Sequence, residues 1–128
     1  MKPEDLAKSG TEHGHQMALF QWAQQNLDQY PELVWLYAIP NGGQRNIITA
    51  AGLKAEGVKS GVSDICLPVA RSTFHGLYIE MKKPGGKESP QQIEFGKFLT
   101  AQGYLYKCCD HWNLARDTII SYMNGTTA

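Results

Sequence analysis

The chain has 128 residues, 42% of them hydrophobic and 10% aromatic, with 12 basic against 12 acidic side chains and a net charge of zero. This size suits one domain that folds without disulfides or metal, and the composition excludes both a disordered chain and a basic coat for nucleic acid, though not a locally basic groove. There is no apolar run of the ~18 residues that a membrane span needs. Met1-Lys2-Pro3-Glu4-Asp5 is not followed by the apolar core of a signal peptide. Cys66, Cys108 and Cys109 form neither a disulfide framework nor a zinc spacing, so a reducing cytoplasm is expected, with the thiols as inert core residues.

The whole chain, 1–128, reads as a single domain, with residues 1–10 and 125–128 as frayed ends. A first helix is expected from Glu12 to Leu27, capped by Thr11, with an inner stripe of Glu12, Gln16, Leu19, Phe20, Ala23 and Leu27. Two polar residues therefore head a stripe that otherwise faces the core. Leu33 to Ile39 is nearly unbroken apolar sequence and predicts a strand buried on both faces. Pro40-Asn41-Gly42-Gly43 ends it as a turn. Asn46 to Ala55 predicts a short helix closed by Gly57.

Val62 to Leu67 and Gly76 to Lys82 both alternate at the strand period and are close enough to form a hairpin. Ser89-Pro90-Gln91-Gln92 starts a helix with a capping box, and Phe95, Phe98 and Leu99 give its apolar face. Gly103 ends it, and Tyr104 to Cys108 is a further strand. Asp110 is expected to cap a last helix with Trp112, Ala115, Ile119 and Met123 inward. The sum is a mixed α/β domain with helices covering a central sheet.

Asp64 and Glu80 each fall inside a predicted strand, where a carboxylate is unwelcome unless exposed or paired. Lys82, at i+2 from Glu80, projects from the same face, and Glu12 heads the inner stripe of the first helix. Neighbouring strands bring these groups to one sheet end. Crowded carboxylates repel one another and call for a cation, and oxygen donors favour magnesium or manganese over zinc. Such an ion activates water for phosphodiester hydrolysis, with the lysine holding a phosphate oxygen or orienting the water. Taken alone, the pattern has a plainer explanation: strand carboxylates usually face solvent, and Glu-x-Lys is usually a surface ion pair.

Asp64 followed by Glu80-Met81-Lys82 resembles the PD-(D/E)XK nuclease superfamily. More narrowly, the chain resembles the small stand-alone phage and bacterial members of the VRR-NUC family. The resemblance rests on Glu12-x-x-x-Gln16, on Ile39-Pro40-Asn41-Gly42-Gly43-x-Arg45, and on the run from Leu53 through Gly61-Val62-Ser63-Asp64-Ile65. His75 to Lys82, Ser89-x-x-Gln92 and Gly103-Tyr104 complete it, all in family order. It implies a restriction-endonuclease-like core in αβββαβ order. It implies Asp64 and Glu80 as metal ligands with the backbone carbonyl of Met81, and Lys82 as the catalytic lysine. Glu12 and Gln92 would be further site residues, Glu12 on the metal directly or through a water and Gln92 orienting the lysine or the phosphate, with Gln16 in support. Ser63 departs from the family's usual proline.

The implied activity is Mg2+- or Mn2+-dependent endonucleolytic cleavage of branched DNA such as Holliday junctions, by a homodimer in the cytoplasm of a bacterial or phage-infected cell. Two alternatives stand beside it: a non-catalytic DNA-binding module of the same fold, and a restriction-type nuclease acting on duplex DNA. Between Asn41 and Ser63 the charges are Arg45, Lys54 and Lys59 against Glu56, a net of +2. These three cations are candidate DNA contacts, and Lys83 and Lys87 extend the track; a solvated surface would look the same. The Asn41-Gly42-Gly43 loop lacks the Walker pattern, so no nucleotide cofactor is expected. His13 and His15 read as solvated, and His75 and His111 as turn residues. Trp22, Trp35 and Trp112 read as core. Among Tyr104, Tyr106, Trp112, Ile120 and Tyr122, those that cannot point inward are candidates for a dimer interface.

Overall fold

The computed structural model describes residues 2–40 and 47–126. Five α-helices are present among them: α1 (Pro3–Ala7), α2 (Glu12–Gln25), α3 (Ile47–Ala55), α4 (Pro90–Ala101) and α5 (Trp112–Met123). Strands β1 (Tyr37–Ala38), β2 (Ile65–Leu67), β3 (Leu77–Met81) and β4 (Leu105–Cys109) form one sheet in that spatial order. The β1–β2 and β2–β3 pairs are antiparallel, and β3–β4 is parallel. This is the mixed α/β sheet flanked by helices that the sequence predicts, with α2, β1, β2, β3, α4 and β4 in αβββαβ order. No helix of the described residues is long and apolar enough to cross a membrane.

Period-2 alternation divides β3 between two layers. Leu77, Ile79 and Met81 are buried in a core shared with Leu19 and Trp22 of α2 and with Trp112, Ala115 and Ile119 of α5. Tyr78 and Glu80 face the other way, where Tyr78 meets Phe95 of α4 edge to face and Glu80 meets Gln92. Gly96 lets α4 lie close to the sheet, since a Cβ there would sit 2.6 Å from the Tyr106 ring.

The helix starts follow their local chemistry. The Thr11 side chain accepts the Gly14 N–H at 2.9 Å, and Ser89 Oγ accepts the Gln92 N–H at 3.2 Å. Gly103, at φ +91, ends α4 in the left-handed conformation glycine favours.

Several expectations are corrected. The lead-in expected to fray instead holds a helix: Pro3 starts α1, the Asp5 carboxylate accepts the Lys2 N–H at 3.2 Å, and Leu6 and Ala7 pack on the core. Gly14 admits this helix, because a Cβ there would lie 2.7 Å from the Leu6 carbonyl. The buried strand predicted over Leu33 to Ile39 is a 3-10 helix, Pro31–Trp35, followed by the short edge strand β1. Proline suits a helix start, and the tight turn sends only Leu33 and Leu36 inward. Trp35 is therefore 68% exposed and outside the core.

At the other end, His111 rather than Asp110 precedes α5, and Asp110 instead accepts the Gly85 N–H at 3.2 Å. His15 is buried, not solvated: its Nδ1 accepts the Trp112 N–H at 3.0 Å, so a side chain of α2 caps the start of α5. Burial holds its pKa below the ordinary 6.5, and the neighbouring His111 adds to this. Cys66 and Cys109 are buried, but Cys108 is exposed, and so is Phe98. Trp112 and Tyr122 are core residues, which removes both from the candidate interface set.

Candidate metal centre

β2 and β3 bring Asp64 and Glu80 together by register. Ile65 pairs with Ile79, which sets the residue before β2 beside the C-terminal end of β3. Asp64 stays in line with the sheet, since its carbonyl accepts the Ile39 N–H at 2.7 Å. Its carboxylate turns across the strand end, and Oδ2 accepts the Met81 N–H at 2.8 Å. Glu12, the first residue of α2, closes the group: one carboxylate oxygen from each of Glu12, Asp64 and Glu80 lies within 4.8 Å of the others. Glu12 is exposed, Asp64 half-buried and Glu80 buried, so the cluster forms a pit open on one side.

Glu80 is the strained member. Its residue is 1% exposed, and its Oε1 has no hydrogen-bond partner among the described residues. Oε2 receives the Gln92 amide nitrogen at 3.0 Å and lies 3.7 Å from Lys82 Nζ. Burial, then the Asp64 carboxylate beside it, push the Glu80 pKa up to about 9 against the pull of Lys82. Desolvation first and Asp64 second also raise Glu12 above the ordinary carboxylate range. Two carboxyls, Glu12 and Glu80, that resist ionising beside Asp64, one of them with a buried unsatisfied oxygen, are what a hard divalent cation relieves. The donor set is all oxygen, which fits Mg2+ or Mn2+ better than zinc.

The surroundings suit an anionic ligand as well. Glu12 begins α2 and Gln92 is the third residue of α4, so the N-terminal ends of two helices abut the pit, and their partial positive charge favours anions there. The Met81 N–H points toward Asp64, and strand geometry puts its carbonyl on the same side of β3.

The structure thus brings Glu12, Asp64, Glu80, Lys82 and Gln92 to one place. Gln92 donates to Glu80, not to the lysine or to an open phosphate position as the sequence suggested. Its carbonyl oxygen is already held by the Ser89 N–H at 2.7 Å. Sequence reasoning reached this capping box but not the second contact, which no local motif encodes. Gln16 is half-buried one helical turn beyond Glu12 and is not one of the clustered carboxylates. Lys54 and Lys59 are exposed on and just after α3. Arg45 and the Asn41-Gly42-Gly43 loop lie outside the described residues.

A family model for the VRR-NUC domain matches residues 3–112. Among solved structures, a VRR_NUC domain protein superposes with a TM-score of 0.77 and 27% identity, over 90% of this chain and 89% of that chain. No curated protein matches.

Proposed function

The chain belongs to the VRR-NUC nuclease family, and from that premise we propose that it is a single-domain, Mg2+- or Mn2+-dependent DNA endonuclease that cuts branched structures such as four-way junctions. The observation that carries the reading is the carboxylate cluster of Glu12, Asp64 and Glu80, in which Glu80 Oε1 is buried and unpartnered while Oε2 lies 3.7 Å from Lys82 Nζ.

Asp64, Glu80 and the Met81 carbonyl would hold the cation, with the exposed Glu12 beside them. When bound, the ion lowers the pKa of a water and neutralises charge on the scissile phosphate. Lys82, paired to Glu80 and largely buried, offers its ammonium to a phosphate oxygen as charge develops there. The N-terminal ends of α2 and α4 add fixed positive potential. Gln92 keeps Glu80 in place. Lys54, Lys59 and Arg45, in the segment leading to Asp64, and Lys83 and Lys87, after β3, guide the phosphate backbone past the pit. Resolving a junction takes two symmetric nicks, and the described residues of one chain form one such carboxylate cluster, so the working unit is a homodimer with a two-fold axis.

Cleavage of labelled linear duplex, flap, fork and four-way junction, with and without Mg2+, tests the reading. Metal-dependent incision that favours the junction supports it. Equal cutting of linear duplex would favour the restriction-type alternative, and binding without cutting under any metal would favour the non-catalytic module.

A further inference from the structure

Gln92 makes three hydrogen bonds that together fix which way its amide points. Its backbone N–H donates to Ser89 Oγ at 3.2 Å, its side-chain oxygen accepts the Ser89 N–H at 2.7 Å, and its side-chain nitrogen donates to Glu80 Oε2 at 3.0 Å. An amide has one acceptor end and one donor end. With the acceptor end taken by a backbone N–H, the donor end is left for Glu80. Oε2 thus faces a hydrogen-bond donor and the Lys82 ammonium at 3.7 Å, while Oε1 stays buried and unpartnered.

We propose that Ser89 is a positioning residue for the metal centre: its backbone N–H, acting through the Gln92 amide, reserves Glu80 Oε2 and leaves Oε1 as the single Glu80 oxygen for the cation. This rests on the reading that Glu12, Asp64 and Glu80 bind a divalent metal. It gives the capping box of α4 two tasks. The Ser89 hydroxyl serves the helix, and the Ser89 N–H serves the site. A glutamate at position 92 would satisfy the same capping box, but it would set a carboxylate against Glu80 instead of a donor.

The two tasks separate by substitution, read by Mn2+ affinity at fixed pH in calorimetry. Ser89→Ala removes the hydroxyl and keeps the N–H. Ser89→Pro removes both, and the Ser89 φ of −74 suits proline. Both variants should melt earlier than wild type. Ser89→Ala should leave the Mn2+ Kd within about twofold of wild type, whereas Ser89→Pro should raise it by about tenfold or more, as loss of a ligand's supporting hydrogen bond does. In a Gln92→Met background, which has no amide to orient, adding Ser89→Pro should change the Kd no further.

Equal Mn2+ affinity in the Ala and Pro variants, or a proline effect that persists with Met at position 92, would overturn the proposal. If Ser89→Pro does not fold, a Mn2+-loaded crystal structure of the wild type decides. Manganese on Glu80 Oε1 with Gln92 on Oε2 supports the proposal; a chelating Glu80, or manganese on Oε2, refutes it. Failure of the underlying reading looks different: wild-type protein would then show no Mn2+ binding that Asp64→Asn abolishes.

Discussion

The Asp64 carboxylate accepts the backbone N–H of Met81 at 2.8 Å, so the aspartate is bonded to the residue that separates Glu80 from Lys82. This one contact joins the two halves of the signature. It uses a strand-end N–H that would otherwise need a partner, and it anchors the Asp64 carboxylate at the end of β3. Asn in place of Asp64 can still accept this hydrogen bond, which makes Asp64→Asn a change of charge with little change of structure.

The raised pKa of Glu80 makes the metal-free protein's stability depend on pH. Glu80 keeps its proton in the folded chain up to about 9 but loses it near 4.5 when unfolded. The folded state therefore binds more protons between these limits. The contribution is fully present below 4.5 and is lost as pH rises toward 9, by at most about 1.4 kcal/mol per pH unit. Denaturant titrations of metal-free protein at pH 6 and pH 8 should show this loss, and Glu80→Gln should reduce it. Metal binding at neutral pH should release close to one proton, read by calorimetry in buffers of different ionisation enthalpy. A Glu80→Gln protein with an unchanged pH profile would contradict the assignment.

His15 predicts the opposite slope. Its folded pKa lies below 6.5, so the unfolded chain takes up the proton first as pH falls, and the stability it contributes is lost on acidification. His15→Ala also leaves the buried Trp112 N–H without its partner, at a cost of about 1–3 kcal/mol. The variant should be less stable at pH 7.5, with part of the difference gone at pH 5.5. Wild-type stability in His15→Ala would mean that the α2–α5 bond carries no energy.

The close approach of α4 to the sheet depends on Gly96. An alanine Cβ would meet the Tyr106 ring at 2.6 Å, and that ring is tied by its hydroxyl to Glu88 at 2.6 Å. Gly96→Ala should cost about 1–3 kcal/mol through overpacking. An unchanged melting temperature would show that helix and strand stand further apart than this.

DNA affinity should depend only modestly on salt. With zero net charge and a short basic track, the slope of log K against log salt should be about three to five in magnitude per subunit. A slope near ten would mean that the main DNA surface lies elsewhere.

Much of this architecture was legible because its signals are local. The Thr11 and Ser89 caps, the inner stripe of α5 and the alternation around Asp64 and Glu80 each follow from spacing alone. What was missed depends on partners distant in sequence. The Leu33 to Ile39 run has strand composition, but Pro31 and the edge position give it a helical turn with Val34 and Trp35 in solvent. His15 looked like a surface residue until α5 docked its first N–H on it, 97 positions away. Asp110 has the chemistry of a helix cap, yet Gly85 takes its oxygen. In the candidate site, the convergence of Asp64, Glu80 and Lys82 was expected from the motif. The orphaned Glu80 Oε1 and the second contact of Gln92 were not, because both arise from the packing of α4 on β3.

The central claim is that the Asp64–Glu80–Lys82 pit carries metal-dependent hydrolysis. It is tested most directly by incubating a labelled four-way junction with wild type and with Asp64→Asn, each in Mg2+ and in EDTA. Wild type should cut in Mg2+ alone, Asp64→Asn should not cut in either condition, and the variant should retain junction binding, because phosphate contacts carry the affinity. Undiminished cutting by Asp64→Asn, or wild-type cutting that survives EDTA, would contradict it.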